Sequence, residues 1–160
     1  MDEPRWLVDE MLGRLARYLR FIGYDTAYVR GVSDDEIVRQ ARAERRRVLT
    51  RDRGLAGRSP EAILLTRTDI AGQMRELLQA FPSLRSDVRF DRCSLCNGSL
   101  RTVAVIPESA SPKSLPPDVR AGRSPLYACS QCGHLYWEGS HTRSVRTRLV
   151  AWLRTEPAAG

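Results

Sequence analysis

The sequence predicts an α/β protein built on a parallel sheet, followed by a small four-cysteine module and a final helix. Three features carry that prediction. Short apolar runs alternate with helix-period segments up to about residue 82, the sequence turns loop-rich near Asp87, and two Cys-x-x-Cys pairs lie beyond that point. The change in character divides the chain into residues 1–87 and 88–160.

Trp6-Leu7-Val8 reads as a strand ended by Asp9. Met11, Leu12, Leu15, Leu19 and Ile22 then recur at helical spacing, and Gly23 stands where a helix end favours a left-handed residue. Asp25 to Val29 is a second strand. Ser33-Asp34-Asp35-Glu36 has the Ser-x-x-Glu form of a capping box and opens a helix to about Glu44. Val48-Leu49-Thr50, followed by Arg51-Asp52, is a third strand, and Ile63-Leu64-Leu65 is a fourth. Thr68-Asp69 starts a helix ending near Phe81-Pro82. This alternation implies right-handed βαβ units and a parallel sheet. Further on, Pro107 to Pro125 holds five of the nine prolines and reads as an extended loop between the cysteine pairs. After His141 a last helix is expected, with Val145, Leu149, Trp152 and Leu153 on its apolar face and Arg143, Arg146 and Arg154 around the rest.

A hydrophobic content of 42% with 28% charged residues is ordinary for a soluble globular protein, and no apolar run approaches membrane-spanning length. Met1-Asp2-Glu3-Pro4 is acidic and leads straight into a strand, unlike a signal peptide, so a cytoplasmic location is expected. The net charge of +7 is uneven. Residues 1–87 hold 16 Arg against 14 acids, and residues 88–160 hold 10 Lys or Arg against 5 acids. A basic balance favours polyanions such as nucleic acid. Genomic base composition is a competing source of the bias, since 25 of the 26 basic residues are Arg. No P-loop, GxGxxG or HExxH pattern occurs.

Cys93-Ser-Leu-Cys96 and Cys129-Ser-Gln-Cys132 use all four cysteines. Two thiolates at i and i+3 grip one metal from a tight turn, and two such turns complete a tetrahedron around Zn²⁺. Glycines in Cys96-Asn97-Gly98 and Cys132-Gly133 permit the positive φ that aims amide N–H groups at sulfur. The 32 residues between the pairs are long for such a site, and the proline-rich loop accounts for the excess. Two disulfides, or a redox-active pair, are the competing readings. With sulfur at every position the metal has no open site, which makes it structural.

Asp9 and Asp52 both follow predicted strands, where the C-terminal ends of a parallel sheet face a common crevice. Carboxylates gathered there repel one another unless a divalent cation neutralises them. Asp34 and Asp35, at the start of the next helix, are placed to join them. Such a cluster suits Mg²⁺ or Mn²⁺, which activate water and neutralise charge on a phosphodiester. Each acid also has an ordinary alternative: Asp34 and Asp35 complement a helix dipole, and Asp52 and Asp69 cap turns. Glu10 is expected to point away from Asp9.

The segments LVDEMLGRLARYLRFIGYDTAY, SDDEIVRQARAE and VLTRD resemble the PIN-like RNase domain found at the C-terminus of mut-seven-type exonucleases and as stand-alone bacterial proteins. RFDRCSLCNGSL and CSQCGHLYWEGSH resemble the zinc ribbon fused to it. The likeness runs from about Trp6 to His141. It implies a three-layer α/β/α fold and metal-dependent cleavage of RNA. By position, Asp9 matches the first acidic motif and Asp52 a later one, while the intermediate acid falls on Asp34 or Asp35. A fourth acid is usual after a further strand, and Asp69 matches it poorly. Thr142 stands where an aromatic often follows the histidine.

Arg14, Arg17 and Arg20 form a row off the apolar stripe of the first helix, fit either to track a phosphate backbone or to face solvent. Arg14, Arg17 and Arg51 are the candidate RNA contacts. His134 and His141 are open to ligating a metal or touching substrate as well as to an ordinary surface or packed role, and Tyr136 and Trp137 either stack on bases or pack the core of the ribbon. The reading that unites these features is a Mg²⁺- or Mn²⁺-dependent ribonuclease with a catalytic set drawn from Asp9, Asp34, Asp35 and Asp52. Asp9 and Asp52 hold the ion, and Cys93, Cys96, Cys129 and Cys132 hold structural zinc. The alternatives are an RNA-binding module without catalysis and a protein-interaction adaptor.

Overall fold

The computed structural model describes residues 2–106 and 114–154. Trp6, Leu7 and Val8 are all fully buried, which a strand achieves only where both faces of its sheet are covered. They form β1 (Trp6–Val8), which lies between β2 (Thr26–Tyr28) and β3 (Arg47–Thr50). β4 (Ile63–Leu64) closes the far edge. All pairings are parallel, giving the order β2-β1-β3-β4. Trp6 stands opposite Thr26 and Arg47, and Leu49 opposite Ile63.

Side-chain alternation assigns the layers. Trp6, Val8 and Leu49 pack with α1 (Gly13–Phe21), α4 (Ile70–Ala80) and α6 (Ser140–Leu153). Leu7 and Val48 pack with Ile37, Val38 and Ala41 of α2 (Asp34–Ala43) and Leu55 of α3 (Arg53–Arg58). The result is the three-layer α/β/α arrangement. The chain moves outward from β1 to β2, then from β3 to β4 on the other side, so the strand order reverses between β1 and β3. At that reversal the loops leaving the strands diverge and open a crevice.

The four-cysteine module carries a second, antiparallel sheet of β5 (Leu100–Thr102), β6 (Leu126–Cys129) and β7 (Leu135–Trp137). Leu115, Val119 and Leu126 form its small core, with Trp137 packed against them. The expected proline-rich loop differs from the structure in part. Residues 107–113 lie outside the described residues, but Pro117 opens a one-turn helix, α5 (Pro117–Arg120), where a fixed φ and missing amide are no handicap. α6 then returns to the larger core, where Val145, Leu149 and Leu153 are buried beside Leu15, Leu19 and Leu77. Among the described residues no helix is long and apolar enough to cross a membrane.

Candidate functional site

The crevice at the strand reversal has a volume of about 110 Å³ and is lined by Asp9, Glu10 and Met11 after β1, Gly31 and Val32 after β2, Asp34 of α2 and Asp52 after β3. Asp9 is 6% exposed. One of its carboxylate oxygens accepts from the Met11 amide at 3.2 Å, capping a 3-10 turn over Glu10–Leu12, and the other accepts from the Thr50 hydroxyl. The same hydroxyl accepts from the Asp52 amide at 3.0 Å. Thr50, fully buried at the end of β3, therefore ties the two acidic strand ends together. Asp52 caps α3 through one oxygen, which accepts from the Leu55 amide at 3.0 Å. Its other oxygen has no protein partner among the described residues.

Asp34 and Asp35 part company. Asp34 is half-buried in the crevice and its carboxylate has no hydrogen-bond partner among the described residues. Asp35 pairs with Arg58 of α3 on the outer surface. The helix pattern contains the reason: positions 34, 37, 38 and 41 fall at i, i+3, i+4 and i+7, the stripe buried through Ile37, Val38 and Ala41. Asp35 shares its face with Arg39 and Arg42 instead. Asp69 caps α4, accepting from the Gly72 amide at 2.7 Å, and does not line the crevice. That amide holds its carboxyl below the usual range.

Glu10 departs from expectation by lining the crevice. Its carboxylate accepts from the Gly31 amide at 3.2 Å, and its carbonyl accepts from the Tyr28 hydroxyl at 2.9 Å, so it fastens the β2 loop to the turn after β1. The sequence carried no signal for this contact, which joins residues far apart in the chain. Arg14 and Arg17 are exposed on α1. Arg51 lies between Thr50 and Asp52, and its buried Nε has no hydrogen-bond partner among the described residues. Arg20 does not extend the exposed row: it is 6% exposed, because its guanidinium donates to Thr26 O at 3.0 Å, Ser94 O at 3.2 Å and Leu95 O at 3.3 Å.

In the second candidate site the ligand atoms of Cys93, Cys96, Cys129 and Cys132 all lie within 4.8 Å of one another. Cys93 and Cys132 sulfurs are 3.7 Å apart, and Cys96 and Cys129 sulfurs 3.4 Å apart. A tetrahedron with Zn–S bonds of about 2.3 Å has edges of about 3.8 Å, whereas a disulfide needs about 2.05 Å. The cysteines are free, which removes the disulfide alternative, and the donor set fits Zn²⁺. Without a cation the sulfurs cannot all ionise. Burial raises Cys129, but amides of Cys132 and Gln131 outweigh it and bring that thiol down to about 6. Burial and its sulfur neighbours push Cys96 up to about 12.

Of the two knuckle glycines, Gly133 takes the positive φ expected of it, whereas Gly98 does different work. Asn97 takes the left-handed φ of +68° in the first knuckle, matching Gly133 at +74° in the second. Gly98 is needed for space, since a Cβ there would sit 2.7 Å from Cys129 Sγ. Asn97 also fixes the knuckle to β2, accepting from the Thr26 amide and donating to Asp25, both at 2.8 Å. The Tyr136 hydroxyl, 3.0 Å from Cys93 Sγ, accepts from the Ser94 amide. His134 stacks edge-on with Tyr136 and His141 with Phe21, so both histidines pack against rings.

The carboxylates of the crevice are more open than the sulfurs: among the described residues no acidic group of three closes to within 4.8 Å. No curated protein and no solved structure matches the chain. The Mut7-C RNAse domain matches residues 4–149. That span holds the parallel sheet, both knuckles and most of the returning helix, and the chain accordingly belongs to the Mut7-C family of RNase domains.

Proposed function

We propose that this protein is a Mg²⁺- or Mn²⁺-dependent ribonuclease whose acidic centre is Asp9, Asp34 and Asp52. The observation that carries the reading is that carboxylates from the ends of β1 and β3 and the start of α2 line one cleft at the strand reversal. A divalent ion held there supplies charge neutralisation at the phosphodiester and a more acidic water. Asp9 is kept in one orientation by Thr50 and the Met11 amide, Asp52 offers its uncommitted oxygen, and Asp34 faces the cleft unpaired. Glu10 is a positioning residue that holds the Gly31 loop. Met11 and Val32, exposed at 59% and 36%, give the nucleoside an apolar rim. Arg14, Arg17 and Arg51 are assigned to the phosphate backbone. Zn²⁺ on the four cysteines is structural. Residues 1–87 form the nuclease unit, residues 88–160 the ribbon and returning helix, and cysteines held by zinc and not by disulfides accord with a cytoplasmic setting.

The openness of the acidic cluster favours one other reading, an RNA-binding module without catalysis. Assays with Mn²⁺ on unpaired and structured RNA separate the two. The parent protein is expected to cut, and Asp9→Asn and Asp34→Asn each to lose about a hundredfold or more in rate. Asp35→Asn, which breaks only an exposed ion pair, should stay within about twofold of the parent. Cutting by Asp9→Asn at the parent rate, or no cutting by the parent with any divalent ion, would defeat the nuclease reading.

A further inference from the structure

A guanidinium removed from water needs a counter-charge. Arg20 is almost fully buried, yet its three hydrogen bonds end on neutral carbonyls, of Thr26, Ser94 and Leu95. Among the described residues Arg20 forms no ion pair with an Asp or Glu, and burial lowers its pKa while Cys93 and Cys96 raise it. The C-terminus of α1 offers only about half a negative charge, short of a full counter-ion. Ser94 and Leu95 are the two residues between Cys93 and Cys96, so their carbonyls set the guanidinium directly behind the first knuckle. Four thiolates around Zn²⁺ carry a formal charge of roughly −2 at that place.

We infer that Arg20 is the counter-ion of the tetrathiolate zinc centre, and that it couples metal occupancy to β2 and to the crevice loop beyond it. Thr26 is the relay. Its carbonyl is held by Arg20 and its amide by Asn97 of the same knuckle, so both backbone groups at the start of β2 depend on the knuckle's position. Three residues beyond the strand start, β2 gives way to Val29, Gly31 and Val32 in the crevice wall. When Zn²⁺ leaves, its two positive charges go with it, the thiolates it held ionised take up protons, and most of the negative charge facing Arg20 is lost. The end of α1 and the edge of β2 then open together.

The test needs no RNA and stands or falls apart from the nuclease reading. Zinc affinity is measured by competition with a chromophoric chelator for the parent, Arg20→Lys, Arg20→Gln and Arg20→Met. Arg20→Lys is expected to hold zinc nearly as tightly as the parent. The two neutral variants should hold it about tenfold or more weakly. Arg20→Gln keeps donors for the carbonyls without the charge, so zinc affinity equal to the parent's in that variant would overturn the proposal. Hydrogen exchange on the parent, with and without chelator, is the second reading and requires no variant to fold. Faster exchange over residues 24–34 on zinc removal is expected. Unchanged protection there while the knuckle itself loosens would overturn the coupling.

Discussion

The Thr50 hydroxyl is fully buried between two acidic segments, donating to Asp9 and accepting from the Asp52 amide. Valine has the same shape without either bond. Thr50→Val therefore leaves a carboxylate oxygen and an amide unsatisfied, a loss of about 1–3 kcal/mol in a urea titration. It also frees the Asp9 carboxylate to rotate, so Mn²⁺-dependent cleavage should fall about tenfold or more. Thr50→Ser keeps the hydroxyl and should retain most of both properties. Thr50 could not be read from the sequence as a site residue, because its partner lies 41 positions away and a threonine in a strand is unremarkable. Asp34 could have been chosen over Asp35. It shares a helical stripe with Ile37, Val38 and Ala41, and that periodicity alone turns it inward. The same count of positions sets Arg20 off the apolar stripe. A long side chain carried its charge to carbonyls that no helical pattern describes.

Among the elements, β2 is anchored at its start by residues from distant parts of the chain. Asp25, just before it, receives Arg46 at 2.8 Å, Asn97 at 2.8 Å and Arg5 at 3.0 Å. Burial raises this carboxyl, but those three donors prevail and hold it well below the usual carboxylate range. A group depressed in the folded state stabilises above its unfolded pKa of about 3.9, and that contribution is lost as pH falls through the folded value. Asp25→Asn should thus be less stable than the parent at pH 6, with the difference in thermal midpoint shrinking below pH about 4. A constant difference from pH 6 down to pH 2.5 would contradict the assignment. The longer elements were legible because several turns repeat one apolar face, as Leu15, Leu19 and Ile22 do in and beyond α1. α3 and α5 were not, since six and four residues are too few to show a period. What made α3 was a cap, Asp52, and one buried leucine, Leu55.

At the scale of the molecule, the last helix belongs to the first core. Leu149 is fully buried among α1 and α4, the Trp152 ring lies 5.0 Å from that of Tyr18, and the Trp152 carbonyl accepts from Arg75 at 3.2 Å. Leu149→Ala should lower stability by about 2–5 kcal/mol and raise hydrogen exchange in α1 and α4, not in α6 alone. Loosening confined to α6 would show that the helix docks without sharing the core. Its amphipathic face was plain from Val145, Leu149, Trp152 and Leu153, but a stripe reports that a face is covered and not by what. The closure has a cost in time. α4 is complete at residue 80 and α6 at residue 153, so at ordinary translation speeds of about 5–20 residues per second the ribosome needs roughly 4–15 s to deliver the missing wall. For those seconds the growing polypeptide shows greasy helices to the cell, an opening for chaperones and proteases that ends when the final helix emerges.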